Sequence, residues 1–273
     1  MDLQEKGTEF LYRTVLGRLI LKGLVCPKIS RLAGRFLDSP LSVKLIPPFI
    51  RQNEIDMSEY EPCIYKSYNE FFTRKIRKER RPIEKAKNCL ISPCDGSALV
   101  LPLGENSVFQ IKKSRYNIRR LLHSKKLAEH YKGGSAVILR LSVTDYHRYC
   151  YVDDGIITDY RTIPGILHTV QPIANEYYPV YHENTREYCI LHSENFGDIV
   201  VMEVGALFVG RIVNDKDRGI VRRGEEKGRF EFGGSTIVLL LEQSAVQWQP
   251  QLLENSAMGK ETPVKMGEVI AVR

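Results

Sequence analysis

From about residue 88 to its end the chain is a succession of short runs rich in Val, Ile and Leu, separated by glycines and charged turns: ALVLPL, AVILRLSV, DIVVMEVGALFVGRIV, STIVLLLE and EVIAV. Runs this short have the length of strands and fall short of helices, and β-branched side chains pack well on a pleated surface. The pattern predicts a mainly antiparallel β domain over residues 86–273. Residues 1–85 carry helical spacing and basic charge instead. The expected fold class is therefore α+β, a helical N-terminal segment followed by a mainly antiparallel β domain.

In EFLYRTVLGRLILKGLV, residues 9–25, Leu11, Val15 and Leu19 fall at helical spacing, with Ile20 and Leu24 nearby and Arg13, Arg18 and Lys22 between them. One amphipathic helix is expected here, and a second, also basic and apolar, over residues 28–37. Two readings of the apolar stripe stay open: it packs on the rest of the protein, or it lies in a membrane interface with Lys and Arg near anionic head groups. Residues 40–62 hold Pro40, Pro47, Pro48 and Pro62 and read as a turn-rich connector. In SYNEFFTRKIRKERRPI, residues 67–83, Ser67 and Glu70 fit a capping box ahead of Phe71 and Phe72. Six basic residues lie between Arg74 and Arg81. Such a run reads as a solvated face, or as a surface that draws phosphate groups.

A net charge of +7 suits an anionic partner: nucleic acid, an acidic membrane or a phosphate-bearing substrate. Nucleic acid is not expected, because the basic residues cluster beside Phe71 and Phe72 in one segment and no known binding motif appears. The longest stretch without Asp, Glu, Lys or Arg, Thr162 to Asn175, is 14 residues long and is broken by two prolines and a glycine. Membrane contact is therefore expected to be peripheral. None of the six cysteines forms a CxxC pair, so a zinc knuckle is not expected and reduced thiols in the cytoplasm are.

Phe232-Gly233-Gly234-Ser235-Thr236 precedes the apolar strand 237–241. Alone, it reads as a tight turn that opens a strand. It is accompanied by YNEFFTRKIRKERRPI, by SPCDG at 92–96, by DYHRY at 145–149, and by the stretch from Gly165 through Asn184 to VGALFVGRIV. In order and spacing these resemble the phosphatidylserine decarboxylase family: its Asn-Glu-Phe-Phe-x-Arg, Ser-Pro-x-Asp-Gly and Asp-Tyr-His-Arg segments and its GGST self-cleavage site. The likeness covers about residues 65–245. Five such motifs in family order are specific where one is not.

The resemblance implies an enzyme that cuts itself. The Ser235 hydroxyl would attack the carbonyl carbon of Gly234, in a strained backbone that glycine tolerates best. An N-to-O acyl shift, removal of the Ser235 α-proton, elimination and hydrolysis with loss of ammonia would leave a pyruvoyl group at residue 235. Residues 1–234 and 235–273 would be the large and small chains of a heterodimer, and a homodimer of these is also admitted. The pyruvoyl group would form a Schiff base with phosphatidylserine and act as electron sink while CO2 leaves, giving phosphatidylethanolamine with no pyridoxal phosphate and no metal. The place implied is the periphery of the cytoplasmic face of the cell membrane, on anionic lipid.

By the same resemblance Asp95 is the acid of an Asp-His-Ser triad; an Asp before Gly96 is also an ordinary turn residue. At one position the chain departs from the family, which usually reads Asp-Tyr-His-Arg-x-His and uses the second histidine as triad base. Cys150 stands there. His147 matches the first histidine, which the family is thought to use in substrate handling and decarboxylation. Three candidates for the base stay open. His147 serves if the segment 141–150 turns, since on a strand positions 147 and 150 face opposite sides. His168, in GILHTV, could supply the imidazole. Cys150 is a poor base at its reference pKa of about 8.5. The reading favours His147 or His168. Asn184 and Arg186 stand where the family reads Asn-x-Arg, and would anchor a substrate carboxylate or phosphate, or form a structural salt bridge. The rival reading is a catalytically silent, membrane-binding relative. Cys150 speaks for it, and the intact GGST, Asp95 and His147 speak against it. A serine hydrolase would need GxSxG around Ser235, which is absent.

Overall fold

The computed structural model describes residues 3–104, 106–207, 211–233 and 235–273. Helices α1 (Leu3–Arg13), α2 (Val15–Leu24), α3 (Pro27–Leu37), α4 (Ile46–Gln52) and α5 (Tyr68–Phe72) come first. Then follow β1 (Cys89–Ile91), β2 (Gly96–Pro102), β3 (Val108–Ile111), β4 (Ser114–Asn117), α6 (Ile118–Leu122), α7 (Lys125–His130), β5 (Ser135–Leu141), β6 (Arg148–Cys150), β7 (Gly155–Ile163) and α8 (Val180–Glu183). The last third holds β8 (Arg186–Ser193), β9 (Gly197–Val204), β10 (Ile212–Asn214), β11 (Gly219–Val221), β12 (Glu226–Phe230), β13 (Ser235–Leu241), β14 (Gln247–Trp248), α9 (Pro250–Ala257), β15 (Thr262–Val264) and β16 (Val269–Val272). Helices followed by antiparallel sheets are what the α+β reading expected.

The main sheet has eight strands in the order β11-β7-β8-β9-β13-β5-β2-β15, every neighbouring pair antiparallel. β13 lies at its centre between β5 and β9, and all seven of its residues, STIVLLL, are buried. An apolar run without alternation is the signature of a strand covered on both faces. Its first residue, Ser235, pairs with Leu141 at the end of β5. A three-stranded sheet, β10-β12-β6, brings β12 to the same end, since the Phe230 N–H donates to the His147 carbonyl at 2.9 Å.

The N-terminal helix expected over residues 9–25 is divided in two at Thr14. The Thr14 hydroxyl accepts from the Gly17 N–H at 2.9 Å and so caps α2 instead of continuing α1. At Gly17 an added Cβ would lie 2.0 Å from the Phe10 carbonyl oxygen, so the elbow between the helices closes only on glycine. The two open readings of this segment divide by face. Tyr12, Leu21 and Val25 are buried in the main core. Val15, Leu16, Leu19 and Ile20, largely the stripe read from sequence, point outward, as do Leu32 and Phe36 of α3.

The Ser67 hydroxyl caps α5 by accepting from the Glu70 N–H at 3.1 Å, as its spacing predicts. The Glu70 carboxylate, however, reaches back to Lys66 N–H, one residue beyond the expected partner. The basic run after α5 is not uniformly a solvated face. Arg74 is buried with its guanidinium 4.1 Å above the Tyr60 ring and 4.7 Å from Phe71, and Arg81 is buried against Asp95. Cation–π contact and a paired carboxylate make these two burials tolerable.

Candidate active site

Ser235 is fully buried, and its hydroxyl has no hydrogen-bond partner among the described residues. Gly234, the other half of the expected cleavage site, lies outside the described residues. Gly233 has φ +129, a backbone conformation that side-chain-bearing residues rarely adopt. Phe232 is held on three sides. Its N–H donates to Asn69 Oδ1 at 3.1 Å, and its ring meets those of Tyr68 and Phe72 edge-on, each at 5.2 Å. Asn69 is itself fixed by donating to Asp38 at 2.7 Å. The Asn-Glu-Phe-Phe segment is thus the clamp on Phe232, ahead of β13.

His147 sits on the same clamp, its ring stacked 4.1 Å from that of Phe72. The segment 141–150 does turn. After β5 ends at Leu141, the Ser142 N–H and hydroxyl both donate to Asp145, and β6 begins only at Arg148. The turn aims His147 Nε2 at the Ser142 carbonyl, 2.9 Å away. A carbonyl only accepts, so Nε2 carries the hydrogen and Nδ1 holds a lone pair. Nδ1 is buried and has no partner among the described residues. Burial pushes the imidazole pKa down to about 3, and the Arg74 charge adds to this while the Ser142 hydrogen bond and Asp95 oppose it. His147 is therefore a neutral imidazole with an open lone pair, and the carbonyl that orients it follows the residue paired with Ser235.

Asp95 faces elsewhere. Its carboxylate takes the Arg81 guanidinium bidentately, Nε to Oδ1 at 2.8 Å and Nη2 to Oδ2 at 2.5 Å, and accepts from the Met266 N–H at 2.9 Å. Lys265 Nζ approaches to 3.5 Å. Asp95 reaches His147 by its field, not by a hydrogen bond. Gly96 beside it has φ +154, and a Cβ there would come 2.6 Å from the Arg140 carbonyl.

The remaining sequence candidates are held by other partners. His168 Nδ1 lies 3.1 Å from the Tyr12 hydroxyl and Nε2 lies 3.3 Å from Glu183, with the ring stacked 4.4 Å from Tyr178. Both nitrogens are engaged, and burial lowers the pKa to about 4. Asn184 accepts from the His168 N–H and donates to the carbonyls of His168 and Gly205. Arg186 is buried and donates to the carbonyls of Arg120, Leu121, His182 and Asn184. Burial without a carboxylate among these partners lowers its pKa to about 10. Cys150 lines a different cavity, of about 780 Å³, with Arg81, Tyr146 and Arg148, and burial pushes its thiol up to about 12. A thiol so hard to ionise is no base at neutral pH.

A second cavity, of about 330 Å³, reaches Phe232 and Gly233 ahead of β13. Its lining includes Leu11 and Tyr12 of α1, Arg140, Ser142, Phe232 and Gly233. Asn69, Phe72, Arg81 and Ser142 were not singled out from sequence as parts of the site. Asn69, Phe72 and Arg81 stand in a quoted motif, where their roles were hidden by a basic run; for Ser142 the sequence offers no signal.

The sequence signature of the phosphatidylserine decarboxylase family matches residues 68–272. That match covers well over half of the chain. The chain belongs to the phosphatidylserine decarboxylase family. It is 45% identical over 263 residues to phosphatidylserine decarboxylase proenzyme 2 of Clostridium acetobutylicum, covering 96% of this chain and 90% of that protein. The phosphatidylserine decarboxylase proenzyme of Clostridium botulinum strain Hall is 41% identical over 275 residues, covering 98% of this chain and 93% of its own. That of Clostridium tetani is 44% identical over 246 residues, covering 88% and 83%. With these family members, likeness extends into the N-terminal helices, beyond the span the motifs had marked.

Proposed function

We propose that this chain is a phosphatidylserine decarboxylase that cuts itself between Gly234 and Ser235 and turns Ser235 into its pyruvoyl group. The observation that carries the reading is that Ser235, at the head of the central strand, and His147, in the turn beyond its partner Leu141, each bury a side-chain atom without a partner among the described residues: a hydroxyl that can give a proton and an imidazole nitrogen that can take one. Buried polar atoms without partners are costly, and in native proteins they call for an explanation such as catalysis.

His147 Nδ1 takes the Ser235 proton as Oγ bonds to the Gly234 carbonyl carbon. The C–N bond then breaks, the proton passes to the nitrogen, and the peptide becomes an ester. A base removes the Ser235 α-proton, and the electron pair expels the Gly234 carboxylate. Water replaces the resulting dehydroalanine nitrogen, which leaves as ammonia. The place of residue 235 suits the product: buried, at a strand terminus, beside a cavity that a head group can enter. When formed, the group supplies a carbonyl that condenses with a primary amine and takes up the electron pair left by CO2. His147 Nδ1 then stands ready to relay a proton, and Asp95, held by Arg81, adds to its basicity through its charge, against the larger lowering by burial.

The outward side chains Val15, Leu16, Leu19, Ile20, Leu32 and Phe36 lie among Arg18, Lys22, Lys28 and Arg35. An apolar face with a cationic fringe suits an anionic bilayer surface, and no helix among the described residues is long and apolar enough to cross one. The proposed place is the cytoplasmic face of the cell membrane, held peripherally, with α1 lying over the cavity where lipid enters.

Intact mass of the purified protein tests the reading. Two chains, 1–234 and 235–273, with the smaller lighter by one ammonia than its sequence, are expected, followed by decarboxylation of phosphatidylserine vesicles. A single uncut chain after long incubation with such vesicles would sink the proposal and favour a silent lipid-binding relative.

A further inference from the structure

We infer that the end of the main sheet remote from Ser235 carries a binding site for a divalent transition-metal ion, made by His130, Asp198 and Glu242. His130 closes α7, Asp198 lies at the start of β9, and Glu242 directly follows β13. His130 and Glu242 are 112 positions apart in sequence, so no motif announces them.

One ligand atom from each of the three residues lies within 4.8 Å of the others. His130 Nε2 is 3.1 Å from Glu242 Oε1 and 3.9 Å from Asp198 Oδ2. Ligand atoms about 2.0–2.2 Å from a zinc-sized ion stand about 3 to 3.5 Å from one another, so a small inward shift of Asp198 completes the set. Imidazole with two carboxylates suits zinc, cobalt or nickel, whereas calcium and magnesium favour oxygen alone. Two carboxylates also match the charge of a divalent ion.

The ligands are supported from behind, as metal ligands are. The Asp198 N–H donates to Glu242 at 3.0 Å. His192 donates through Nδ1 to Asp198 at 2.6 Å, and its Nε2 meets the Thr158 hydroxyl at 2.9 Å. Gly197, with φ +74, turns the β8–β9 hairpin, and a Cβ there would press to 3.1 Å on the Glu242 carboxylate. Glycine leaves that carboxylate its place. The His130 side chain is 41% exposed, which gives an ion a way in. β13 separates the site from Ser235 by its whole length, about 20 Å at about 3.3 Å per residue. The ion is therefore a staple joining α7, β9 and β13, with no part in the chemistry at residue 235.

The test is a calorimetric titration of the chelator-treated full protein with zinc chloride, with thermal unfolding followed in parallel and magnesium as control. Expected are one zinc ion per chain at micromolar concentration, a rise of several degrees in Tm, and no response to magnesium. His130→Ala and Glu242→Gln should each weaken zinc binding at least ~10-fold and abolish the rise, and His192→Ala, behind Asp198, should weaken it ~10-fold. His130→Ala, at an exposed side chain, should match the parent Tm without zinc. Absence of saturable binding, binding unchanged in His130→Ala (zinc held by cysteines instead), or binding with no rise in Tm would each overturn the inference.

Discussion

Among the described residues Ser235 Oγ and His147 Nδ1 have no partner in the interior, and the burial that makes this costly also sets the imidazole's charge. His147→Ala should slow self-cleavage ~10²–10⁴-fold, the usual worth of a general base, while His168→Gln should leave it within a few-fold; mass spectrometry of timed samples separates the two. The pH dependence follows from the depressed pKa. The unfolded imidazole takes up a proton near pH 6.5, and the folded one only near pH 3. Below pH 6.5 the unfolded state binds more protons, so stability falls with pH, by about 2 kcal/mol at pH 5 from His147 alone. In an uncut Ser235→Ala background, urea melts at pH 5 and pH 7 should show this loss, and adding His147→Phe should remove most of it. Arg81 belongs to the same scale. Arg81→Met strands the Asp95 charge in a buried site and should cost about 3–5 kcal/mol of stability, whereas Arg81→Lys should recover part of it; thermal melts of both variants decide.

Between elements, the decisive joint is the elbow of α1 and α2. It lays Tyr12 into the core, where the hydroxyl accepts from the Thr169 N–H and meets His168. Gly17→Val would place a branched side chain into the Phe10 carbonyl and should pry α1 off the cavity beside Phe232. The expected result is a drop in Tm of several degrees together with faster proteolysis within residues 3–24, read by limited trypsin digestion. Short β-strand runs and a capping residue at Ser67 are local signals, and both are legible in the sequence. The break at Thr14 was not, because a threonine amid a helical stripe differs from a cap only once its hydroxyl has turned to Gly17.

For the whole molecule, the proposed membrane face and the cleavage site are separate devices on one fold. Leu19→Glu with Phe36→Glu, both at exposed positions, should reduce sedimentation with anionic vesicles at least ~10-fold while self-cleavage in solution proceeds at the parent rate. Loss of both together would mean that these helices shape the site and do not serve as a lipid anchor.

The motif residues in family order carried the family, the α+β architecture and the GGST segment, because strand length, glycine turns and the Asn-Glu-Phe-Phe and Asp-Tyr-His-Arg spellings are all local in the chain. Tertiary structure alone gives the three candidate bases their different surroundings. His147 lies beside the strand pair that begins at Ser235, His168 is engaged by Tyr12 and Glu183, and Cys150 lines another cavity. It also showed that Asp95 is paired with Arg81, and that Arg186 is held by backbone carbonyls. The physical reason is the same in each case: a side chain's protonation and partners depend on burial and on neighbours distant in sequence, which no local pattern encodes.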